Sequence, residues 1–111
     1  MKINEEKKED IIIASISGEI NIDTSPELRK AFDQYTDQGI KKVIIDCQNL
    51  AYIDSSGLAT LIELLQRLKK ENGELKICNL AEKVKSVFEV TKLDKLFDIC
   101  LNQEQAVERF K

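Results

Sequence analysis

With 111 residues, the chain suits one compact domain spanning 1–111 that can bury a real core. Hydrophobic residues make up 42% and charged ones 33%, with 17 basic against 20 acidic side chains, the balance of a globular rather than a disordered protein. The net charge of -3, with Lys7-Lys8, Lys41-Lys42 and Lys69-Lys70 scattered among acids, argues against nucleic acid as a partner.

There is no histidine, so Ser-His and Cys-His nucleophilic pairs cannot be built and histidine-rich metal sites are excluded. Cys47, Cys78 and Cys100 are odd in number and widely spaced, which suggests neither a disulfide framework nor a zinc site; they read as small hydrophobes. The polar start, MKINEEKKED, lacks the apolar core of a secretory signal, and no window approaches the roughly 18 apolar residues of a membrane span. The expectation is a cytoplasmic protein without a membrane anchor.

In chain order, Asp10–Gly18 is β-branched and ends in glycine, so it reads as a strand, paired with a short edge strand near Met1–Asn4. A helix follows: Thr24 or Ser25 as N-cap, Pro26 in the first turn, Leu28, Ala31, Phe32 and Tyr35 at helical spacing, and Gly39 as the stop. Ile40–Cys47 becomes apolar in its second half, as a buried parallel strand does. The segment Gln48–Ile53 then carries the chain on to Asp54. Leu58, Leu61, Ile62, Leu65 and Leu68 define an amphipathic helix from about Ser55 to Glu71.

After the Asn72-Gly73 turn, Glu74–Leu80 reads as a strand and the segment from Ala81 as a helix with Val84, Val87 and Phe88 on one face. Lys95–Cys100 suggests a last short strand, and a closing helix is capped by Asn102. Alternation of strand and helix implies an α/β domain: a mostly parallel four- to five-stranded sheet with an antiparallel edge strand and about four helices.

In such sheets, ligands and partners meet the loops at the carboxyl ends of strands. The stretch YIDSSGLATL, residues 52–61, falls at such a place. Asp54 or Ser55 can cap the helix, a contribution of roughly 0.5–2 kcal/mol. Capping leaves Gly57 unexplained, since glycine inside a helix costs about 1 kcal/mol relative to alanine. The residues alone therefore suggest close access to this backbone, and free amides at the helix start that favour an anionic group. A helical projection centred on Leu58–Leu68 turns Ser56 away from the core and leaves Ser55 at about 85° to it.

The segments Ser17–Phe32, Val43–Ile62 and Gly73–Ile99, with the core Asp54-Ser55-Ser56-Gly57-Leu58, resemble the STAS family, and within it the bacterial anti-sigma-factor antagonists. That resemblance implies a partner switch without catalysis, metal or cofactor. The unphosphorylated protein binds an anti-sigma factor that is also a serine kinase, freeing a sigma factor. Phosphorylation of the serine after the motif's aspartate, Ser55 here with Ser56 in reserve, abolishes binding, and a serine phosphatase restores it. Asp23, Thr24, Asp54, Ser56, Gly57 and Leu58 are the implied partner-binding residues. Where many relatives carry glycine, this chain has Lys92, a residue less comfortable at positive φ.

Two other readings stay open on residues alone. A receiver-like domain would phosphorylate Asp46 or Asp54 with Mg2+ assistance, but it needs an acidic pair after the first strand, where Glu19 stands alone. A small-ligand or nucleotide-binding module would use the helix start, although no glycine-rich phosphate loop is present.

Overall fold

The computed structural model describes residues 1–110. Its strands are β1 (Lys2–Lys8), β2 (Ile11–Ile20), β3 (Lys42–Asp46), β4 (Leu50–Ile53), β5 (Glu74–Cys78) and β6 (Asp98–Cys100). The helices are α1 (Ser25–Asp37), α2 (Ser55–Lys70), α3 (Glu82–Val90) and α4 (Gln103–Glu108), with a 3-10 turn at Leu93–Lys95. The strands form one sheet in the order β1-β2-β3-β5-β6, with β4 attached to β2 off this path. Among the described residues, only the β1–β2 pair is antiparallel.

Alternation along the strands sorts two cores. Ile12, Ala14, Ile16, Val43, Ile45, Leu75 and Ile77 face the larger one, where Leu28 and Phe32 of α1, Leu61 and Leu68 of α2, and Phe88 of α3 meet them. Ile11, Ile13, Ile44, Cys78 and Cys100 point the other way and are covered by Ala106 of α4. Burial on both faces explains the continuous Ile and Val runs. The three cysteines are buried and unpaired. Burial, together with the negative charge of Asp46, pushes the Cys78 thiol up to about 12, which suits a packing role.

Three expectations are revised. The edge strand runs to Lys8 rather than Asn4. Gly18 does not end β2: with φ of 93° it sits at a register irregularity, beyond which the strand continues to Ile20. β2 pairs with β3 through Ser15 and with β4 over Gly18–Ile20, the irregularity falling between Gly18 and Glu19. The segment read as a connection to Asp54 contains β4, the strand beyond the expected four to five. At the helix ends, Gly39 follows the α1 cap with φ of 76°, as a stop glycine does. Lys92 adopts φ of 63°, so this chain builds the left-handed turn with lysine.

Candidate functional site

The site is assembled by the β2–β4 pair. Ile20 lies beside Ile53 in parallel register, and the Asp54 N–H donates to the Ile20 carbonyl at 3.1 Å. Two loops therefore leave from neighbouring strand ends: Asn21–Thr24, leading into α1, and Asp54, leading into α2. Both lie at carboxyl ends of strands, as expected for this class of sheet.

Asp54 is extended, with φ of -109°, and caps α2: its Oδ1 accepts from the Ser56 and Gly57 amides at 2.9 and 3.1 Å. Two of the first-turn amides expected to be open to an anion are thus already bonded. Among the described residues, neither the amide nor the hydroxyl of Ser55 has a hydrogen-bond partner, and its side chain is exposed. Ser56 is half-buried, and its carbonyl accepts from the Thr60 hydroxyl at 2.9 Å. The order is opposite to that from the helical projection. The projection follows the burial direction of the middle of α2, whereas the first turn is seated on the ends of β2 and β4.

Gly57 shows that seat. An added Cβ would lie 2.6 Å from Ile53 Cγ1 and 2.7 Å from Ile20 Cγ2. The close access this glycine provides is to the chain's own isoleucines, which corrects the idea of an approachable backbone. Leu58 is 5% exposed and belongs to the larger core. Gly57 and Leu58 thus sit beneath the surface that Ser55 presents.

In the neighbouring loop, Asn21 Oδ1 accepts from the Asp23 and Thr24 amides at 2.9 and 3.1 Å, an Asx turn. The Thr24 hydroxyl accepts from the Asn21 amide at 2.8 Å and donates to the Glu19 carbonyl at 3.0 Å. The Ser25 hydroxyl donates to the Asn21 carbonyl at 2.7 Å. Thr24 occupies the N-cap position of α1 by backbone alone; its side chain and that of Ser25 tie the loop together instead of capping. Asp23 is exposed, as is Ile22. Sequence reasoning passed over Asn21, although an Asn two residues before Asp23 is a turn signal, and it passed over the Ile20–Ile53 seat, which depends on pairing across 33 residues.

Asp46 stands elsewhere, 5% exposed at the end of β3. Its carboxylate accepts from the Gln48 amide at 3.0 Å, Asn79 Nδ2 at 3.1 Å and Gln103 Nε2 at 2.5 Å. It pairs in register with Ser15, and Glu19, four residues further along, is exposed. A receiver-like acidic pair is not formed between them.

A STAS domain family model matches residues 2–106. The chain belongs to the STAS domain family. The anti-sigma-B factor antagonist of Bacillus subtilis is 33% identical over 110 residues, covering 97% of this chain and 100% of the relative. Among solved structures, a Thermotoga maritima protein provisionally named an anti-sigma factor antagonist superposes with a TM-score of 0.92 at 24% identity, covering 96% of this STAS chain and 92% of that one. The Bacillus cell fate determinant SpoIIAA in its phosphorylated form superposes with a TM-score of 0.76 at 19% identity, covering 99% of this chain and 100% of that one. These likenesses agree with the α/β architecture. Among the described residues, no helix is long and apolar enough to cross a membrane.

Proposed function

We propose that this STAS protein is an anti-sigma-factor antagonist whose docking is switched by phosphorylation of Ser55. The observation that carries the proposal is the Ser55 hydroxyl: exposed, without a hydrogen-bond partner among the described residues, and held at a capped helix start beside the Asn21–Thr24 loop. The 33% identity to the Bacillus subtilis antagonist supports it.

In this reading the unphosphorylated protein binds an anti-sigma factor that is also a serine kinase, through Asp23, Thr24, Asp54, Ser55 and Ser56, with Gly57 and Leu58 shaping the surface from below. The Ser55 oxygen attacks the γ-phosphorus of the kinase's ATP, ADP leaves, and the hydroxyl proton passes to a base on the kinase. The antagonist is substrate and ligand, and contributes no catalysis of its own. A serine phosphatase restores the hydroxyl.

The added group carries about -1.5 to -2 charge at pH 7. The α2 dipole favours that charge at its N-terminus, so the fold survives and the change acts at the surface. Transfer requires the nucleotide phosphates to face Ser55 in the complex. Once modified, Ser55 meets those phosphates with charge of like sign, at a cost of several kcal/mol, while Asp54 adds to the negative field.

The test uses the anti-sigma factors encoded in the same genome, purified one by one. One of them should bind wild type and Ser55→Ala, lose at least about a hundredfold in affinity for Ser55→Asp, and phosphorylate wild type but not Ser55→Ala. Equal affinity for all three forms refutes the switch. Phosphate found by peptide mapping on Ser56 alone refutes the choice of serine.

A further inference from the structure

Ile22 and Tyr52 flank the Ser55 site and are exposed, at 72% and 49%. Ile22 lies two residues beyond Ile20 and Tyr52 two residues before Asp54, so the Asp54-to-Ile20 hydrogen bond anchors the segments that carry both. Ile22 stands on the Asx turn of Asn21, locked further by the Thr24 and Ser25 hydroxyls. A rigid loop that holds a large aliphatic side chain in water has already lost most of the ordering entropy of binding. Beside Tyr52 lies a groove of about 290 Å3, lined by Ala51, Tyr52 and Ile53 of β4 and by Lys83, Val84 and Val87 of α3. Ile22 and Tyr52 thus extend from the paired ends of β2 and β4, and the groove adjoins Tyr52.

The charge of the two loops and their strands has one sign. Segments 11–28 and 43–66, which build both loops and their strands, contain Glu19, Asp23, Glu27, Asp46, Asp54 and Glu63 and no lysine or arginine. Asp46 is buried and Glu63 is paired with Arg29, which leaves Glu19, Asp23, Glu27 and Asp54 around Ile22 and Ser55. Lys83 of α3 places a cation at the groove.

We infer that Ile22 and Tyr52 are the apolar anchors of the docking face, and that they fit a partner surface offering an apolar pocket for Ile22 rimmed by lysine or arginine. This rests on the reading of Ser55 as a partner switch, and it names the shape and charge of that partner. Ile22 sets which anti-sigma factor is accepted. The acidic rim steers the encounter and excludes partners with acidic faces.

The experiment uses the anti-sigma factor that binds wild type, with affinity measured by calorimetry. Ile22→Ala should weaken binding about tenfold or more, Tyr52→Ala similarly, and Ile22→Asp more still. Leu101→Ala, which removes a leucine 75% exposed after β6, serves as the control and should change nothing. Raising salt from about 0.05 to 0.5 M should weaken wild-type binding, and Asp23→Asn should reduce that salt dependence. Each variant must keep the wild-type Tm, as exposed positions allow.

Unchanged affinity for Ile22→Ala, while Ser55→Asp still abolishes binding, overturns this inference and leaves the switch standing. If no anti-sigma factor binds wild type, it is the switch that fails. Self-association of the protein alone, abolished by Ile22→Asp, would assign the patch to a second copy of the chain and overturn it as well. Binding that strengthens with salt would remove the basic rim from the partner.

Discussion

Replacing Gly57 by alanine tests how the site is built. In an ordinary helix interior the change stabilises by about 1 kcal/mol. Here the new methyl would sit 2.6 Å from Ile53 Cγ1, 2.7 Å from Ile20 Cγ2 and 3.1 Å from Ile20 Cβ, against an optimum of about 3.5–4.0 Å. Neither neighbour has room to give: Ile20 is 0% and Ile53 2% exposed, and both are held in strand register. Overpacking of this kind costs about 1–3 kcal/mol, and two simultaneous contacts on two strands place Gly57→Ala in the upper part of that range. After subtracting the helix gain, a net loss of about 1–2 kcal/mol is expected, or a fall in Tm of about 4–12 °C for a domain of this size. Thermal melting by circular dichroism, with urea unfolding to check that the m-value is unchanged, gives both numbers. A Tm equal to or above wild type would show that α2 does not need close seating on the β2–β4 ends.

Two further expectations concern other parts of the molecule. Burial alone would push the Asp98 carboxyl up, but the Lys76 ammonium at 2.9 Å and the Arg109 guanidinium outweigh it and hold the group below its ordinary value. Its stabilising effect is therefore full above the unfolded value near 3.8 and is lost as pH falls through the lower folded one. The stability gap between wild type and Asp98→Asn in urea titrations should be constant from about pH 7 to 5 and shrink below about pH 4; a gap that persists unchanged to pH 2 contradicts the assignment. Lys92→Gly relieves a lysine at φ of 63° and should raise stability by up to about 1 kcal/mol, read from the same titrations, whereas a loss would mean the lysine side chain has a packing role.

The helices were legible because their signals are local. Leu28, Phe32 and Tyr35 are buried on α1, and Leu58, Leu61, Leu65 and Leu68 on α2, as their spacing predicts. β4 was not legible. It has four residues, its burial runs inward at Leu50 and Ile53 and outward at Ala51 and Tyr52, and its partner is the far end of β2, so no local period marks it. β1 was cut short in the reading because its charged residues, Glu5 to Lys8, look like loop; charge on an exposed edge strand instead guards against pairing with another chain. At the site, the Asp54 cap could be read from residue type. The relative exposure of Ser55 and Ser56, and the reason for Gly57, could not, because both depend on side chains that arrive from β2 and β4.

The irregularity at Gly18 has a mechanical consequence. Gly18–Ile20 of β2 pairs with β4, while Ile11–Ser15 is clamped between β1 and β3 and Ile16 and Ser17 pair with β1. The end of the sheet that carries both loops can therefore come apart by releasing one short ladder, without unzipping the body of the sheet. Such an end opens at lower free energy than the whole protein, so its amides are expected to exchange sooner than those of β3 and β5. Because the Asx turn and the Thr24 and Ser25 hydroxyls tie the Asn21–Thr24 loop together, that loop moves as one ordered piece on the short ladder while the remainder stays a rigid handle.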